Sequence, residues 1–509
     1  MRNGSSLLLF LLFIPSSSPL NVLLFVPTLS YSHVAFNGKV ADELISRGHT
    51  VTMLLSVVDD SVHYNGSHKA EILRVPVDVP SGLLPRSLWS NPGPYEDSSP
   101  LNPRIFGKLI RVTSIFVHAC NAMSKNTRLR EELREKKFDV GIVEQYDFCG
   151  FGMFAALSIP SYIWLSATAV FRTQPESLGI NYPLSYVPEL FAHVDDRMSL
   201  MGKLENILVG TVMGLVSTLY SRAEETKVFK RLGLLPLHES LLDVSQKSYS
   251  IIINSMPVFD VPMPVTSQIL HVGGMTVDNK EYLLNKEWSE IVDRKGDGFV
   301  LITFGSIAKT RDMPPEMARS FYKTFASFPN LTFILKDEEV TKGIERRREN
   351  VYTTNWLPQR ALMAHGQFCF IITHGGWSSI LESIYVERPL ILLPLFGDHA
   401  KNSQVVRSKG VGLVLNKMSI SPSILQDSIQ QLLHNPKFTE NARKFSRMLK
   451  DSPILPHGEM LNFHVTRAAK TKGLQWKWMT PREAFLPSFL VKGGDIVLIV
   501  IVLLSILSS

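Results

Sequence analysis

Short apolar runs alternate with helix-like stretches through much of this chain, and that alternation restricts its fold more than any other feature. The run from Asn21 to Thr28 (NVLLFVPT) is continuously apolar, as expected of a strand buried on both faces. A helical pattern follows, with Val40 and Leu44 on one face, and it ends at Gly48 before the strand-like TVTMLL. This order predicts a parallel sheet covered by helices, and therefore the α/β class.

The same alternation continues in two series. In the first, FDVGIV and SYIWL flank a helical stretch; in the second, strands such as GFVLITFGS, LTFILK, FCFIIT and PLILLPLF alternate with helical segments. A proline-spaced stretch, residues 254–274, suits the connection between them. We predict domains over residues 19–265 and 266–450, and returning helices over 451–485. No G-x-G-x-x-G follows the first strand of either series, which disfavours a classical dinucleotide site.

Two long stretches carry no recognisable chemical motif. Residues 76–103 are rich in Pro, Ser and Gly and are predicted to form a long surface loop. Residues 171–250 have a mostly helical pattern without assignable detail.

Both ends of the chain are apolar. Residues 1–18 place Arg2 before an apolar run and small residues, which is typical of a cleaved secretory signal peptide; an uncleaved buried strand is the alternative. At the other end, Ile496 to Leu507 is entirely aliphatic. A helix of about 14 residues would cross about 21 Å of a hydrocarbon core that is roughly 30 Å thick. We still predict that residues 486–509 anchor the chain in a membrane, in preference to a buried terminal element.

Charge and cysteine content exclude some classes of protein. The formal charge of +7 comes from 53 basic and 46 acidic residues spread along all 509 positions, so no nucleic-acid partner is indicated. Cys120, Cys149 and Cys369 are odd in number and lack metal-ligand spacing, so any disulfide would be incidental and no metal site is expected. Of the two glycosylation sequons, Asn65 is a better acceptor than Asn330, which lies at a strand entrance.

The densest set of polar residues lies between positions 356 and 399. The strand FCFIIT leads into His374, two glycines and a helix, whose first backbone N–H groups suit a phosphate. Trp356 could stack on a base and Gln359 could read its edge. A tight turn of purely structural function is the alternative for the glycine pair alone.

Three further side chains extend this pattern. Glu382 lies about two helical turns beyond His374, where a carboxylate could accept hydrogen bonds from ribose. Asp398 and His399 follow a strand at its carboxyl end, the edge at which open α/β sheets bind ligands. Together, these residues describe a site for a nucleotide-sugar.

The segment from Trp356 to His399 resembles the donor-binding signature of the UDP-glycosyltransferases, and the resemblance extends over nearly the whole chain. It implies the GT-B fold, in which two Rossmann-like domains, one for the acceptor and one for the donor, face each other across a cleft. It implies a UDP-sugar as donor substrate, with no separate cofactor and no metal. The donor-binding residues that it implies are Ser306, Trp356, Gln359, His374, Gly376, Ser378, Glu382, Asp398 and His399.

The resemblance also implies a catalytic pair. His33, in the segment YSH, corresponds to the base that takes the proton from the acceptor hydroxyl. The family places an Asp in the strand segment that here reads FDVGIVEQYD, so Glu144 is the predicted partner of His33, with Asp147 as the alternative. Attack by the activated hydroxyl in one displacement inverts the anomeric configuration.

Departures from the family pattern leave two questions open. Ser378 replaces a residue that is often Asn, and Glu144 replaces Asp. His399 replaces the usual Gln, so glucose, glucuronate and galactose all stay candidates for the donor sugar. The same three changes favour the alternative of a non-catalytic protein that binds a UDP-sugar or a lipophile. The family resemblance further implies a small lipophilic acceptor and an endoplasmic reticulum membrane protein with lumenal domains and a single-pass anchor; homo-oligomerisation is left open.

Overall fold

A computed structural model of the chain describes residues 18–80, 83, 93–99, 102–277, 283–294, 296–337, 349–451, 456–474 and 479. The predicted signal peptide, apart from residue 18, and the predicted anchor over 486–509 lie outside these residues.

The first domain is built on a parallel sheet of seven strands. Its strand order is β3-β2-β1-β4-β5-β6-β7. The strands are β1 Asn21–Pro27, β2 Thr50–Val57, β3 Glu71–Pro76, β4 Val140–Glu144, β5 Tyr162–Ser166, β6 Ser248–Ile253 and β7 Ile269–His271. The central strands are buried along their whole length, which explains why they read as continuous apolar runs.

The second domain has a parallel sheet of six strands, in the order β10-β9-β8-β11-β12-β13. The strands are β8 Phe299–Thr303, β9 Thr332–Lys336, β10 Val351–Thr354, β11 Phe368–Thr373, β12 Leu390–Leu392 and β13 Gly412–Val414. Two doubly covered parallel sheets confirm the predicted α/β class and its two Rossmann-like domains.

Helices cover both faces of the two sheets. Around the first sheet they are Tyr31–Ile45, Pro103–Lys125, Thr127–Glu135, Cys149–Ala156, Thr173–Ser177, Leu200–Leu215, Ala223–Arg231 and Leu241–Ser245, with a π-helical segment at Val216–Arg222. Around the second they are Lys286–Val292, Pro315–Ala326, Gln359–Met363, Trp377–Tyr385, His399–Ser408, Pro422–His434 and Pro436–Asp451, with short 3-10 turns at Thr310–Asp312 and Lys417–Ser419. A further helix, His457–Thr471, follows.

The two domains exchange chain segments. Strand β7 still belongs to the first sheet, so that sheet continues past the predicted bound at residue 265. After the second domain, helix His457–Thr471 returns to the first, where Leu461 and Val465 are fully buried in its core. The first sheet therefore extends into the proline-spaced segment, where β7 is too short to be recognised from its pattern.

The segment 93–99 differs from the surface loop predicted for residues 76–103. Tyr95 is 3% exposed and packs against Phe304 in the core of the second domain. The Nζ of Lys417 donates hydrogen bonds to Pro94 O and Ser98 Oγ, each at 2.9 Å. This part of the predicted loop is therefore a fixed contact between the domains.

Candidate functional site

A cavity of about 940 Å³ lies between the two domains. It is lined by the start of helix Tyr31–Ile45, by helix Pro103–Lys125 and by the loops that follow the strands of the second sheet. Both sheets direct the carboxyl ends of their parallel strands to this space, which is where α/β folds bind ligands.

The first-domain side of the cavity contains a histidine–carboxylate pair. His33 lies in the first turn of helix Tyr31–Ile45 and lines the cavity, whereas Glu144 ends β4 and is fully buried. His33 Nδ1 is 3.0 Å from Glu144 Oε1. With Nδ1 engaged by the carboxylate, Nε2 is the ring nitrogen left for a proton acceptor role.

Two further groups hold the Glu144 carboxylate in place. Asn37, one helical turn after His33, donates from Nδ2 to Glu144 Oε2 at 2.5 Å and to the His33 carbonyl at 2.9 Å. The backbone N–H of Ala167 donates to Glu144 Oε1 at 3.2 Å. The buried carboxylate is thus satisfied on both oxygens, as a buried charge requires.

Asp147, the alternative partner of His33, has other contacts. Its Oδ1 accepts a hydrogen bond from the Cys149 backbone N–H at 3.0 Å, at the start of the next helix. Burial raises the pKa of Asp147 to about 7. Its charge in turn adds to burial in raising the pKa of Glu225, a buried carboxyl that accepts from the Phe148 N–H at 2.9 Å. The contact that His33 makes in the structure is therefore with Glu144.

An aromatic stack that sequence reasoning missed supports the histidine. The ring of Tyr146 stacks on His33 with centroids 4.5 Å apart, and Phe116 stacks on the same tyrosine at 5.5 Å. Tyr146 Oη is 3.2 Å from Ser30 Oγ, and burial raises the pKa of the phenol well above its usual range. Helical spacing from His33 could have indicated Asn37, but no local pattern places Tyr146 against the imidazole.

The second-domain side brings the predicted donor residues together. All nine line the cavity: Ser306, Trp356, Gln359, His374, Gly376, Ser378, Glu382, Asp398 and His399. Trp356 is 54% exposed; its ring centroid lies 5.1 Å from that of Tyr31 in an edge-to-face arrangement, and Lys336 Nζ lies 5.3 Å from the Trp356 ring centroid. An exposed indole at the wall of a cavity is available for stacking on a planar ligand.

Gln359 and Glu382 contact each other. Gln359 Nε2 donates to Glu382 Oε2 at 2.7 Å and to Ser379 Oγ at 3.0 Å. Burial raises the pKa of the Glu382 carboxyl, and the hydrogen bond from Gln359 acts in the opposite direction. The Glu382 carboxylate and the Gln359 side-chain carbonyl can both accept hydrogen bonds from hydroxyl groups in the cavity.

The glycine turn leaves room for the His374 ring. Gly375 adopts a φ of 96°, a left-handed conformation that favours glycine. A Cβ atom on Gly376 would lie 2.7 Å from His374 Nε2, and one on Gly305 would lie 2.8 Å from its Cε1. The backbone therefore approaches the ring closely at the start of helix Trp377–Tyr385, whose unpaired N–H groups suit an anion.

The two donor-side histidines meet at right angles, with ring centroids 4.5 Å apart. Burial, and then the other ring, lowers the pKa of His374 well below its usual range; burial, and then Lys417, lowers that of His399 to about 3. His399 Nδ1 accepts from the Phe396 N–H at 3.2 Å. Both rings are therefore neutral at physiological pH.

Asp398 joins the two sides of the cleft. Its Oδ2 accepts from Thr168 Oγ1 of the first domain at 2.6 Å and from Asn402 Nδ2 at 2.8 Å. Thr168 directly follows Ala167, whose N–H bonds Glu144. A short loop after β5 therefore connects the buried carboxylate of one domain with the carboxylate of the other, a link that sequence reasoning did not find.

Among the described residues, no group of three or more His, Cys, Asp and Glu side chains is arranged to hold a metal ion. Cys120 and Cys149 form a disulfide that joins helix Pro103–Lys125 to helix Cys149–Ala156, whereas Cys369 is a free thiol.

Comparisons with known proteins agree with this geometry. Residues 21–475 match the family model described as "UDP-glucoronosyl and UDP-glucosyl transferase". A Caenorhabditis elegans protein named "Putative UDP-glucuronosyltransferase ugt-48" is 25% identical over 458 residues, which cover 85% of this chain and 83% of that protein. The 2-hydroxyacylsphingosine 1-beta-galactosyltransferase of Rattus norvegicus is 25% identical over 86% of this chain and 77% of its own length.

Solved structures share the fold. A glycotransferase of kitacinnamycin superposes with a TM-score of 0.58 at 17% identity, covering 90% of this chain and 99% of its own. The calicheamicin glycosyltransferase CalG4 superposes with a TM-score of 0.55 at 16% identity, over 89% of this chain and 99% of its own. These likenesses confirm the GT-B arrangement predicted from the sequence.

Proposed function

Because the chain belongs to the UDP-glucuronosyl and UDP-glucosyl transferase family, we propose that it transfers a hexose or hexuronate from a UDP-sugar to a hydroxyl group of a small lipophilic acceptor. The observation that carries this proposal is the His33–Glu144 pair, 3.0 Å apart, at the wall of the cavity that the donor signature also lines.

In the proposed reaction, His33 acts as general base. Its Nε2 takes the proton of the acceptor hydroxyl as the oxygen attacks the anomeric carbon of the donor sugar. The bond between that carbon and the UDP oxygen breaks with inversion, and UDP leaves with the electron pair. Glu144 stabilises the imidazolium that forms and, with Asn37, keeps the ring oriented.

The donor side supplies a position for each part of the UDP-sugar. Trp356 stacks on the uracil, and the Gln359–Glu382 pair accepts from the ribose. The diphosphate lies at the N-terminus of helix Trp377–Tyr385 beside His374, Ser378 and Ser306, where backbone N–H groups stabilise the growing negative charge. Asp398 and His399 face the sugar. The neutral His374 ring lies beside the diphosphate position.

His399 Nδ1 already accepts a hydrogen bond from the Phe396 N–H, so Nε2 is the ring nitrogen that contacts the donor sugar. This contact selects the sugar. Glucose, glucuronate and galactose are the candidates. Two of the relatives are named galactosyltransferases, which supports galactose as a candidate.

A lipophilic acceptor suits the first-domain wall of the cavity. That wall includes Phe106, Leu109, Val112, Val209 and Met213, so most of the surface near the acceptor position is apolar. The sphingolipid-directed relatives also favour an acceptor that partitions into membranes.

For the location of the protein, we retain the predicted lumenal, anchored arrangement in the endoplasmic reticulum membrane. The Cys120–Cys149 disulfide supports an oxidising compartment. Asn65 is exposed, as a glycosylation acceptor must be.

The decisive experiment is product detection by mass spectrometry in microsomes that express the full chain. UDP-glucose, UDP-galactose, UDP-glucuronate and UDP-N-acetylglucosamine are crossed with phenols and aliphatic alcohols. We expect glycoside from the wild type, a loss of about 10³-fold or more in His33→Ala, and no change in His63→Ala, an exposed histidine outside the cavity. UDP binding, measured in parallel, should survive in His33→Ala.

The non-catalytic alternative predicts a different result. Intact UDP binding with no glycoside from any pairing, or turnover that is equal in His33→Ala and wild type, would contradict the proposed mechanism.

A further inference from the structure

The helix Leu200–Arg231 has an unusual composition for a helix at the surface of a globular domain. It runs without a break through a π-helical segment at Val216–Arg222. Within the part of the chain that the structure describes, it is the one helix whose length and hydropathy would allow it to cross a membrane, and 22% of its most apolar stretch is buried. Charged side chains between positions 200 and 221 are limited to Lys203 and Glu205.

The exposed side of this helix forms what we call the outer stripe. Its residues recur at helical spacing on one face, and roughly half or more of each side chain is exposed: Leu200 74%, Met201 72%, Leu204 53%, Leu208 49%, Leu215 52% and Leu219 66%. A solvated helix carries polar residues on this side, so the outer stripe indicates an interaction surface.

The opposite face fixes the helix to the first domain. Buried Asn206 donates from Nδ2 to the carbonyls of Leu184 and Val187, both at 2.8 Å. Arg172 donates to the carbonyl of Gly210 at 2.6 Å, and Tyr220 Oη lies 2.9 Å from Ser114 Oγ. Because these contacts hold it along its length, the helix lies on the domain surface with the outer stripe facing outward and cannot cross a bilayer without leaving its domain.

The same helix forms a wall of the cavity. Val209, Val212 and Met213 line it from the helix, and Leu208 both lines the cavity and belongs to the outer stripe. Phe106, from helix Pro103–Lys125, also lines the cavity and is 50% exposed. Leu208 and Phe106 are therefore cavity-lining residues that also reach the outer surface, and Leu208 does so on the outer stripe.

We propose that the outer stripe lies in the headgroup–acyl boundary of a lipid bilayer, and that lipophilic acceptors enter the cavity from this boundary past Leu208. This proposal rests on the proposed function for the identity of the acceptor. A helix with one apolar face and basic residues near its end binds in the plane of the interface, about 5–10 Å deep.

Two features favour a bilayer over a protein partner. Arg222, Lys227, Lys230 and Arg231 follow the outer stripe along the same continuous helix, where lipid headgroup phosphates would meet them. The chain also continues for 30 residues beyond position 479, through the aliphatic run at 496–507, which would hold the same molecule at a membrane.

Depth-dependent quenching tests the location of the stripe independently of activity. In the full chain with Cys369→Ser, single cysteines at Leu204 and Leu215 are labelled with an environment-sensitive fluorophore, and Glu316 serves as the exposed control position. The protein is reconstituted in phosphatidylcholine–phosphatidylserine vesicles with nitroxide lipids. We expect lipid-borne quenching at both stripe positions, and iodide quenching at Glu316.

Two outcomes would overturn the proposal. Stripe positions quenched by iodide and not by nitroxide lipid are solvated. Positions shielded from both quenchers are covered by protein, either by residues 486–509 or by a second copy of the chain.

Kinetics test the entrance. The variant Leu204→Gln with Leu215→Gln and Leu219→Gln keeps helix-forming residues and changes no cavity-lining side chain. We expect KM for a membrane-partitioned acceptor to rise roughly tenfold, because the helix loses apolar area at the interface, while KM for a water-soluble phenol and for the UDP-sugar is unchanged. The matched control carries Leu237→Gln, Leu283→Gln and Leu474→Gln, three exposed leucines elsewhere.

The two kinds of failure are distinguishable. If no acceptor is glycosylated by the wild type, the proposed function fails while the quenching result stands. If the wild type is active and both triple variants show equal KM for the membrane-partitioned acceptor, entry through the interface is wrong.

Discussion

The two walls of the cavity differ in how their polar groups are satisfied. On the first-domain wall, Glu144 is fully buried and accepts from His33, Asn37 and the Ala167 N–H. On the second-domain wall, Trp356 is 54% exposed, and Gln359 donates to Glu382. The carboxylate of the proposed catalytic pair is therefore held by the fold itself, whereas the proposed base-stacking side chain is open to solvent.

This difference suits the two tasks. A general base must keep one ring orientation and one tautomer until it takes the proton, so its supporting hydrogen bonds are built into the fold. A donor that binds and leaves as UDP in every cycle needs groups whose partners it can replace at little cost. Substitutions on the first-domain wall should therefore reduce kcat, and substitutions on the second should raise KM for the donor.

The largest effect is expected from Glu144→Gln. The amide keeps the size of the side chain but removes the charge that stabilises the imidazolium, so kcat should fall about 10³-fold with little change in KM for the UDP-sugar. Initial rates over a range of donor concentrations measure both. Glu144→Asp, which restores the charge on a shorter side chain, should recover part of the rate; if Gln and Glu give equal kcat, His33 does not depend on this carboxylate.

A smaller effect, and on the other parameter, is expected from Trp356→Ala. Loss of one base–aromatic stack costs about 1–3 kcal/mol, which corresponds to about a 5- to 160-fold rise in KM for the UDP-sugar. Trp356→Phe keeps a stacking ring and should lose much less. A fall in kcat at saturating donor, with KM unchanged, would contradict the expectation that the second-domain wall acts on KM and the first-domain wall on kcat.

Thr168→Val removes the hydrogen bond that joins the walls. Its partner Asp398 keeps the bond from Asn402, so the loss should be about 1 kcal/mol, or about fivefold in kcat/KM. Thr50→Val, at an exposed strand start, is the matched control. No difference between these two variants would mean that the loop after β5 does not couple the walls.

The smallest effect on turnover is expected from Asp147→Asn, which instead changes the pH dependence of stability. Burial raises the pKa of Asp147 from 3.8 to about 7, so between these values the native state retains a proton that the unfolded chain releases. The contribution of this carboxyl to the free energy of unfolding therefore falls as pH rises through that window. Thermal unfolding from pH 4 to 8 should show a weaker fall in Tm in Asp147→Asn than in the wild type.

The exposed-residue control for this measurement is Asp312→Asn, which should leave the wild-type slope unchanged. A slope that is the same in both variants would show that Asp147 is ionised in the native state and would contradict this prediction.

The second domain was the more predictable half from sequence. Its strands are continuous apolar runs with glycine turns between them, and its nine predicted donor residues all line one cavity because the ends of parallel strands meet at one edge. The prediction of His33 also used a local feature, the start of a helix directly after β1.

What sequence missed depends on contacts between distant segments. Tyr146 stacks on His33 across more than a hundred positions, and Thr168 reaches Asp398 from another domain, so neither leaves a periodic signal. Strand β7 has three residues, too few for a pattern, and its pairing with β6 is visible only in the sheet. Long-range packing decides these features, and local propensity does not.

The contact of segment 93–99 with the second domain has a consequence for exchanging halves between relatives. Tyr95 fills a site in the second core and Lys417 holds the carbonyl of Pro94, while helix His457–Thr471 gives Leu461 to the first core. In a chimera joined at the connection between the sheets, each core would therefore contain side chains that come from the other relative. New acceptor specificities are more readily acquired by substitution within the first domain than by replacing it whole.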